Sequence, residues 1–394
     1  MWAMESRGRT TLRAASWALG CLLVGVAAVP AQAESVRSQQ WHLDAMHADE
    51  MWKVSTGEGV TVAVIDTGVD DSLPDLQGQV LQGKDFSNQA GGAHTDAANH
   101  GTQMAALIVG KGKRSDGNGS FGLAPGSKIL PLRVTNGTEA RNQAEGSENF
   151  SKTVSAAIRY AADSDAKILN ISMADEADSA ELQGAVQYAL AKGKLIFAGV
   201  GNHGDKANEV QYPAAIPGVV GVAGVDRDGT ATKESEHGPQ VDLAAPGEEI
   251  VTACAGGTQL CKGHGTSAAT ALASASAALL WSVHPTWTAN QITRVLINTA
   301  GGPESGKKRT DLIGYGAVRP RIALKDPGDP GPADVNPIDG PESKSAVGSV
   351  QKPAAAPKGD DGPNTTWIAW GIGAAVLLGA AVTAPILIAR RRGI

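Results

Sequence analysis

Residues 60–65 read VTVAVI and run straight into Asp66-Thr67-Gly68. Six residues that are apolar or β-branched, with no polar alternation, describe a strand covered on both faces, as in a parallel sheet. The same signature returns at Lys167–Ile171 (KILNI), Lys194–Gly199 (KLIFAG) and Val219–Val225 (VVGVAGV). Between these runs the spacing predicts helices over His100–Val109, Ser151–Ala162, Ala180–Ala191, Thr266–Leu280 and Ala289–Thr299. Strand and helix in alternation predict an α/β fold, a mostly parallel sheet with helices on both faces. Such sheets form their sites at the carboxyl ends of the strands. The polar residues that directly follow the strands are therefore the candidates for function.

Composition narrows the class. Of 394 residues, 42% are hydrophobic and 19% charged, enough apolar surface for a sizeable core. The net charge of −6 leaves no basic excess to neutralise phosphates, so a nucleic-acid partner is not expected. Three cysteines are too few for a disulfide-built scaffold.

The two ends predict the compartment. Arg7, Arg9 and Arg13 precede an apolar stretch from Ala14 to Pro30 and then Ala31-Gln32-Ala33. That order describes a secretory signal peptide over 1–33, with a retained signal anchor as the other reading. Its removal leaves the remaining chain near −8. Trp367–Ala389 is 23 residues without a charge, followed by Arg390-Arg391-Arg392. It is long enough to cross ~30 Å of hydrocarbon, and the arginines place the tail 390–394 in the cytoplasm. The expectation is a single-pass transmembrane helix at 367–389, with the body, 34–325, extracytoplasmic. Residues 326–366 hold eight of the 20 prolines and few large apolar residues, and read as a disordered, Pro-rich stalk.

Within the body, Asp66 follows the strand VTVAVI, and His100 opens a helix in Asn99-His100-Gly101-Thr102. Asn202 follows KLIFAG in Gly201-Asn202-His203, and Ser267 opens an Ala-rich helix in Gly265-Thr266-Ser267-Ala268. These are the residue types of a nucleophilic hydrolase. Serine needs a neighbouring base, histidine is that base near neutral pH, and a buried carboxylate fixes the imidazole tautomer. A side-chain amide and a helix N-terminal N–H can hold a developing oxyanion.

On these residues the chain resembles the subtilisin-like serine proteases, whose triad runs Asp, His, Ser along the chain. Asp66-Thr67-Gly68, His100-Gly101-Thr102 and Gly265-Thr266-Ser267 look like the three motifs, and Asn202 like the oxyanion asparagine. Gly122-Leu123-Ala124-Pro125, Tyr212-Pro213-Ala214, Ala245-Pro246-Gly247 and Gly314-Tyr315-Gly316 also fit, so the similarity runs from about Trp41 to Leu324. The resemblance implies catalytic roles for Asp66, His100 and Ser267. It also implies that Ser172-Met173-Ala174 pairs with an extended substrate and that Gly199-Val200-Gly201 walls the pocket for the residue before the cut. Ala174 and Val200 stand where the family has smaller residues, which predicts a narrowed pocket for small side chains. Ala268-Ala269-Thr270-Ala271 and Ala106 depart from the family pattern without touching a catalytic position.

Other features are weaker. His42, His47, His94, His203, His237, His264 and His284 read mostly as surface or loop residues, with His203 and His264 nearest the site in sequence. No His, Cys and Asp cluster has catalytic-zinc spacing. The family often binds calcium at loop sites, but Asp116-Gly117-Asn118-Gly119 reads as a turn, so no cofactor or metal site is assigned. Cys254 and Cys261 either form a bridge that clamps the loop before Ser267 or stay as free thiols. The apparent start of the body at Gln40-Trp41-His42 leaves no room for a prodomain. Signal, body, stalk and anchor together resemble the mycosins, membrane-anchored subtilases tied to type VII secretion. The resemblance implies a protein or peptide substrate and secretion-complex subunits as partners. The rival reading is a structural component of a membrane secretion complex with weak or dispensable proteolysis. An esterase with the same triad is a third.

Overall fold

The computed structural model describes residues 35–338, apart from 136–139, 257 and the side chains of Ser115 and Asp116. The signal peptide expected over 1–33, most of the stalk, the anchor over 367–389 and the tail 390–394 lie outside the described residues.

Seven strands form one sheet: β1 (Thr61–Asp66), β2 (Lys84–Asp85), β3 (Lys128–Arg133), β4 (Ile168–Ile171), β5 (Leu195–Gly199), β6 (Val220–Val225) and β7 (Leu243–Pro246). Their order is β2-β3-β1-β4-β5-β6-β7, and every pairing is parallel. Ile65 lies beside Leu132 on one side and Ile171 on the other, so Asp66 emerges at the carboxyl edge of the sheet centre.

Successive side chains of a strand point to opposite faces, and here both faces are covered. Val62 and Val64 of β1 enter a core that includes the helices His100–Val109 and Thr266–Val283. Ala63 and Ile65 enter a second core under the helices Gln143–Ala162 and Ala180–Ala191. This two-sided burial is why the strands read as unbroken apolar runs. The helix Thr266–Val283 is long and apolar enough to cross a membrane, but 83% of its apolar window is buried inside the body. Its alanines, from Ala268 to Ala278, let it lie close to the strands, so it is a core helix.

Three elements depart from expectation. The helix expected from Ser151 begins at Gln143, because the Asn142 side chain caps it by accepting the Glu145 N–H. Its first turns are polar, and apolar periodicity starts only at Phe150. Strand β3 was not legible because Pro131 sits inside it. Ile129 exchanges hydrogen bonds with Gln79 and Leu81 on the β2 side, so Pro131, two residues on, aims its missing donor toward that short edge. The hairpin of β8 (Ile250–Ala253) and β9 (Leu260–Gly263) was also missed. Its turn is closed by the Cys254–Cys261 disulfide, with Cα atoms 5.8 Å apart.

The first part of the segment expected to be a disordered stalk, 326–338, is held against the body. Residues 326–338 are strapped to the helix Ala289–Asn298. Arg294 Nη1 donates to the carbonyls of Pro330 (2.7 Å) and Pro332 (3.0 Å), and Arg294 Nη2 donates to that of Val335. Gln291 Nε2 donates to Gly331 O (2.9 Å), Asn290 Nδ2 to Ala333 O (2.9 Å), and Ile338 is fully buried. A proline-rich segment has few N–H groups, so its carbonyls are free for side-chain donors.

His42, expected with the surface histidines, is fully buried, and neither ring nitrogen has a hydrogen-bond partner. Burial, with a smaller push from Arg37, lowers its pKa to about 3. The unfolded chain takes up this proton near pH 6.5 and the folded chain only near 3. Stability is therefore whole above about pH 6.5 and falls through that window, by on the order of 5 kcal/mol at its end. Replacing His42→Leu is expected to flatten acid unfolding between pH 6 and 3, followed by circular dichroism. An unchanged acid midpoint would refute this assignment.

Candidate active site

Asp66 is the last residue of β1, and its carboxylate is wholly buried. Oδ1 accepts the Thr67 N–H at 2.8 Å and faces His100 Nδ1 at 2.7 Å. A carboxylate only accepts, so the shared proton belongs to Nδ1, and Nε2 of the neutral ring carries the lone pair. Burial pulls the His100 pKa down. The charge and hydrogen bond of Asp66, helped by Asp96, outweigh burial and raise it above 6.5.

The helix His100–Val109 is held against β1 by a device that short motifs did not reveal. Asn99 precedes it with φ +62° and provides no side-chain cap. Asp96 caps it instead. One carboxylate oxygen accepts the Thr102 N–H (2.8 Å) and hydroxyl (2.6 Å), and the other accepts the Thr67 hydroxyl (2.7 Å). Thr67 Oγ1 in turn accepts the Gly101 N–H (3.1 Å). A negative charge at a helix N-terminus is favourable, so Asp96 both positions and stabilises the turn that carries His100. Gly101 permits the contact. A Cβ there would stand 2.2 Å from Gly68 O and 2.9 Å from Asp66 Cβ.

Ser267 is the second residue of the helix Thr266–Val283. Its Oγ donates to the Ser172 carbonyl at 3.0 Å, and the Ser172 Oγ donates back to the Ser267 carbonyl at 3.0 Å. Asn170 Nδ2 donates to Ser172 Oγ, and Ser274 Oγ donates to Asn170 Oδ1, both at 3.0 Å. This buried chain ties the serine helix to β4 at two levels, and Asn170 and Ser274 were not singled out from the sequence. Among the described residues no hydrogen bond joins Ser267 to His100. Such bonds are often long in free enzymes and tighten when substrate arrives.

Asn202 Oδ1 accepts the Thr266 N–H at 2.8 Å. A backbone N–H can only donate, so the amide oxygen is fixed and Nδ2 remains as an outward donor. The Ser267 N–H lies in the first turn, where a helix offers no acceptor of its own. One edge of the sheet thus carries a carboxylate-oriented imidazole, a hydroxyl and two donors.

A groove of about 660 Å³ is lined by Thr67, His100, Phe150, Ser172, Met173, Ala174 and Asp175. Val200 is fully buried in the core under the helix Ala180–Ala191, so only its backbone is available to a ligand. The expectation that Val200 narrows a pocket is therefore withdrawn. Ala174 is exposed and Gly199 and Gly201 are buried. His203 and His264 are exposed, and His264 Nδ1 faces Glu234 at 3.4 Å. Among the described residues no group of three His, Cys, Asp or Glu side chains could hold a metal ion.

Replacing Asp66→Asn removes the charge that opposes burial, so the His100 pKa should drop from above 6.5 to below it. Histidine ring NMR titration of both proteins measures this directly. A midpoint that stays above 6.5 in the variant would disprove the account.

The subtilase family of peptidases matches residues 57–318. The thermophilic serine proteinase of Bacillus sp. (strain AK1) is 36% identical over 236 residues, 58% of this chain and 56% of that relative. The chain therefore spans little more than half the length of this curated relative. MycP1 from Mycobacterium smegmatis matches with a TM-score of 0.65 and 29% identity, over 75% of this chain and 86% of that one. A chain of the periplasmic assembly from the ESX-5 inner membrane complex matches with a TM-score of 0.67 and 25% identity, over 84% and 92%. The match covers the strands, both catalytic-type helices and the segment around Asn202. The chain belongs to the subtilase family and is related to the MycP proteases of type VII secretion systems.

Proposed function

We propose that the protein is a membrane-anchored, extracytoplasmic serine endopeptidase. The observation that carries this reading is the 2.7 Å contact of His100 Nδ1 with the buried Asp66 carboxylate, at the sheet edge that also holds Ser267 and Asn202. Ser267 Oγ leaves the Ser172 carbonyl and attacks the scissile carbonyl while His100 Nε2 takes its proton. Asn202 Nδ2 and the Ser267 N–H receive the oxyanion. His100 returns the proton to the leaving amine, and water then clears the acyl-enzyme with His100 again as base. Asp66 keeps the proton of Nδ1 in place and stabilises the imidazolium. Ser172–Ala174 pairs with the substrate backbone, opposite Gly199–Gly201. His100 must be neutral to act as base, so activity rises with pH through a midpoint above 6.5.

The uncharged run 367–389 and the arginines after it support a single C-terminal anchor, and the basic-apolar start supports export. In this reading residues 1–33 are the signal peptide, and the Pro-rich segment up to 366 links the body to the anchor. The likeness to MycP1 and to the ESX-5 periplasmic assembly supports a role in type VII secretion with secretion-complex subunits as partners. One observation favours a mainly structural role in such a complex. Ser267 Oγ is engaged by Ser172 and not by His100.

A fluorophosphonate probe on membranes distinguishes the two. Labelling of wild type that vanishes in Ser267→Ala supports the protease. No labelling of the folded wild type puts the structural role first. Peptide hydrolysis should fall on the order of 10⁶-fold in Ser267→Ala and about 10²–10³-fold in Asn202→Ala, mostly in kcat. On blue-native gels, a large complex that survives Ser267→Ala would support assembly independent of catalysis, and a monomer would remove the complex.

A further inference from the structure

The two segments that form the pocket walls have carboxylates directly behind them. Asp175 and Glu176 continue the wall Ser172–Ala174. Glu236 stands against the other wall. It is fully buried, and a Cβ built on Gly201 would lie 2.4 Å from its carboxyl carbon and 2.5 Å from each oxygen. Gly201 has φ +113°, so glycine is required there twice over: for the backbone and for the room it leaves the carboxyl. The Glu236 N–H donates to Gly201 O at 3.1 Å, and the His203 N–H donates to Oε1 at 3.3 Å. Oε2 is buried with no hydrogen-bond partner. Glu176 and Glu209 are exposed acids, and the charges of both bear on Glu236.

Buried carboxyl oxygens are normally paired. Among the described residues, however, none of Asp175, Glu176, Glu209 or Glu236 forms an ion pair with Lys or Arg. Their carboxyls do not converge tightly enough to hold a metal ion. Burial pushes Glu236 up to about 7. The His203 N–H opposes this, and the charges of Glu176 and Glu209 add to it. Glu176 is raised as well, by desolvation, by Glu209 and by Asp175, with His203 pulling the other way. Asp175 is already satisfied, by the Ser147 hydroxyl and the Ala177 N–H. None of the remaining three carboxyls has a basic partner among the described residues, and that of Glu236 packs against Gly201, so its charged form stays disfavoured until a cation arrives.

We propose that this pocket receives the side chain of lysine or arginine at the residue before the cleaved bond, with Glu236, aided by Glu176 and Glu209, as its counter-charge. The proposal rests on reading Ser172–Ala174 and Gly199–Gly201 as the substrate walls, and it replaces the small-residue preference expected from the sequence. The Val200 side chain does not reach the pocket, so the obstruction behind that preference is largely gone. A long unbranched cationic side chain can lie between two backbone walls and bring its charge to acids behind them.

The test uses full-length protein in detergent, with EDTA present to remove divalent ions. Peptides differ only at the residue before the cut: Lys, Arg, Ala, Phe or Glu. The expected result is a kcat/KM for Lys and Arg about 30-fold or more above that for Ala and Phe. Glu236→Gln keeps the shape and the acceptor for the His203 N–H. It should remove most of that advantage, chiefly through KM, and leave the Ala peptide within about 3-fold. Glu209→Gln, at an exposed position, should erode the same advantage partially and provides the answer if Glu236→Gln does not fold. Preference for Ala or Phe in wild type, or variants that lower all peptides equally, would overturn the proposal. Fluorophosphonate labelling of the same samples separates the two failures. A labelled enzyme with the wrong preference sinks the pocket alone, and an unlabelled one sinks the protease reading and the pocket with it.

Discussion

A carboxylate with no solvent exposure must find donors, and Asp66 finds them in the Thr67 N–H and in His100. That demand organises the centre of the molecule. It requires the helix His100–Val109 to come within glycine distance of β1, which Gly101 allows. It requires the helix to start at a fixed height, which Asp96 ensures by gripping Thr102 and Thr67 together. The imidazole is therefore held from both ends: its own proton on Asp66 and its helix on a second acid.

The serine side is built on different physics. There the helix Thr266–Val283 is pressed into the sheet by small apolar residues, and its N-terminus carries no side-chain cap from Gly265. Asn202 takes the first free N–H of that helix and leaves the second for a ligand. The reciprocal bonds between Ser172 and Ser267 make one segment serve the sheet, the cleft wall and the resting position of the hydroxyl. The dipole and the amide are fixed in the free protein, so in the proposed reaction little reorganisation is left for the moment when charge develops.

The sequence made legible what is local. Asp66, His100, Asn202 and Ser267 each sit where a strand ends or a helix begins, and the unbroken apolar runs announce those ends. Contacts made across long stretches of chain stayed hidden. Asp96 looked like any loop acid, Asn170 and Ser274 are 104 residues apart, and nothing near Gly201 announces Glu236. Strand β3 was concealed by Pro131, whose missing donor matters little on the side where pairing is short. Val200 misled because its direction, not its size, decides what it touches. Residues 326–338 misled for a related reason. Composition reports what a segment can bury, and this one is held by its carbonyls.

That strap also has a mechanical side. Any pull on the chain beyond residue 338 meets the buried Ile338, then Arg294 and its three carbonyl partners, before it reaches the helix Thr266–Val283. These bonds act in parallel with one another. They would share a load and then yield together, paying out a dozen residues of slack while the sheet and its cleft stay unstrained. The body is thus insulated from tension by a release catch made of one guanidinium, two amides and a short run of prolines.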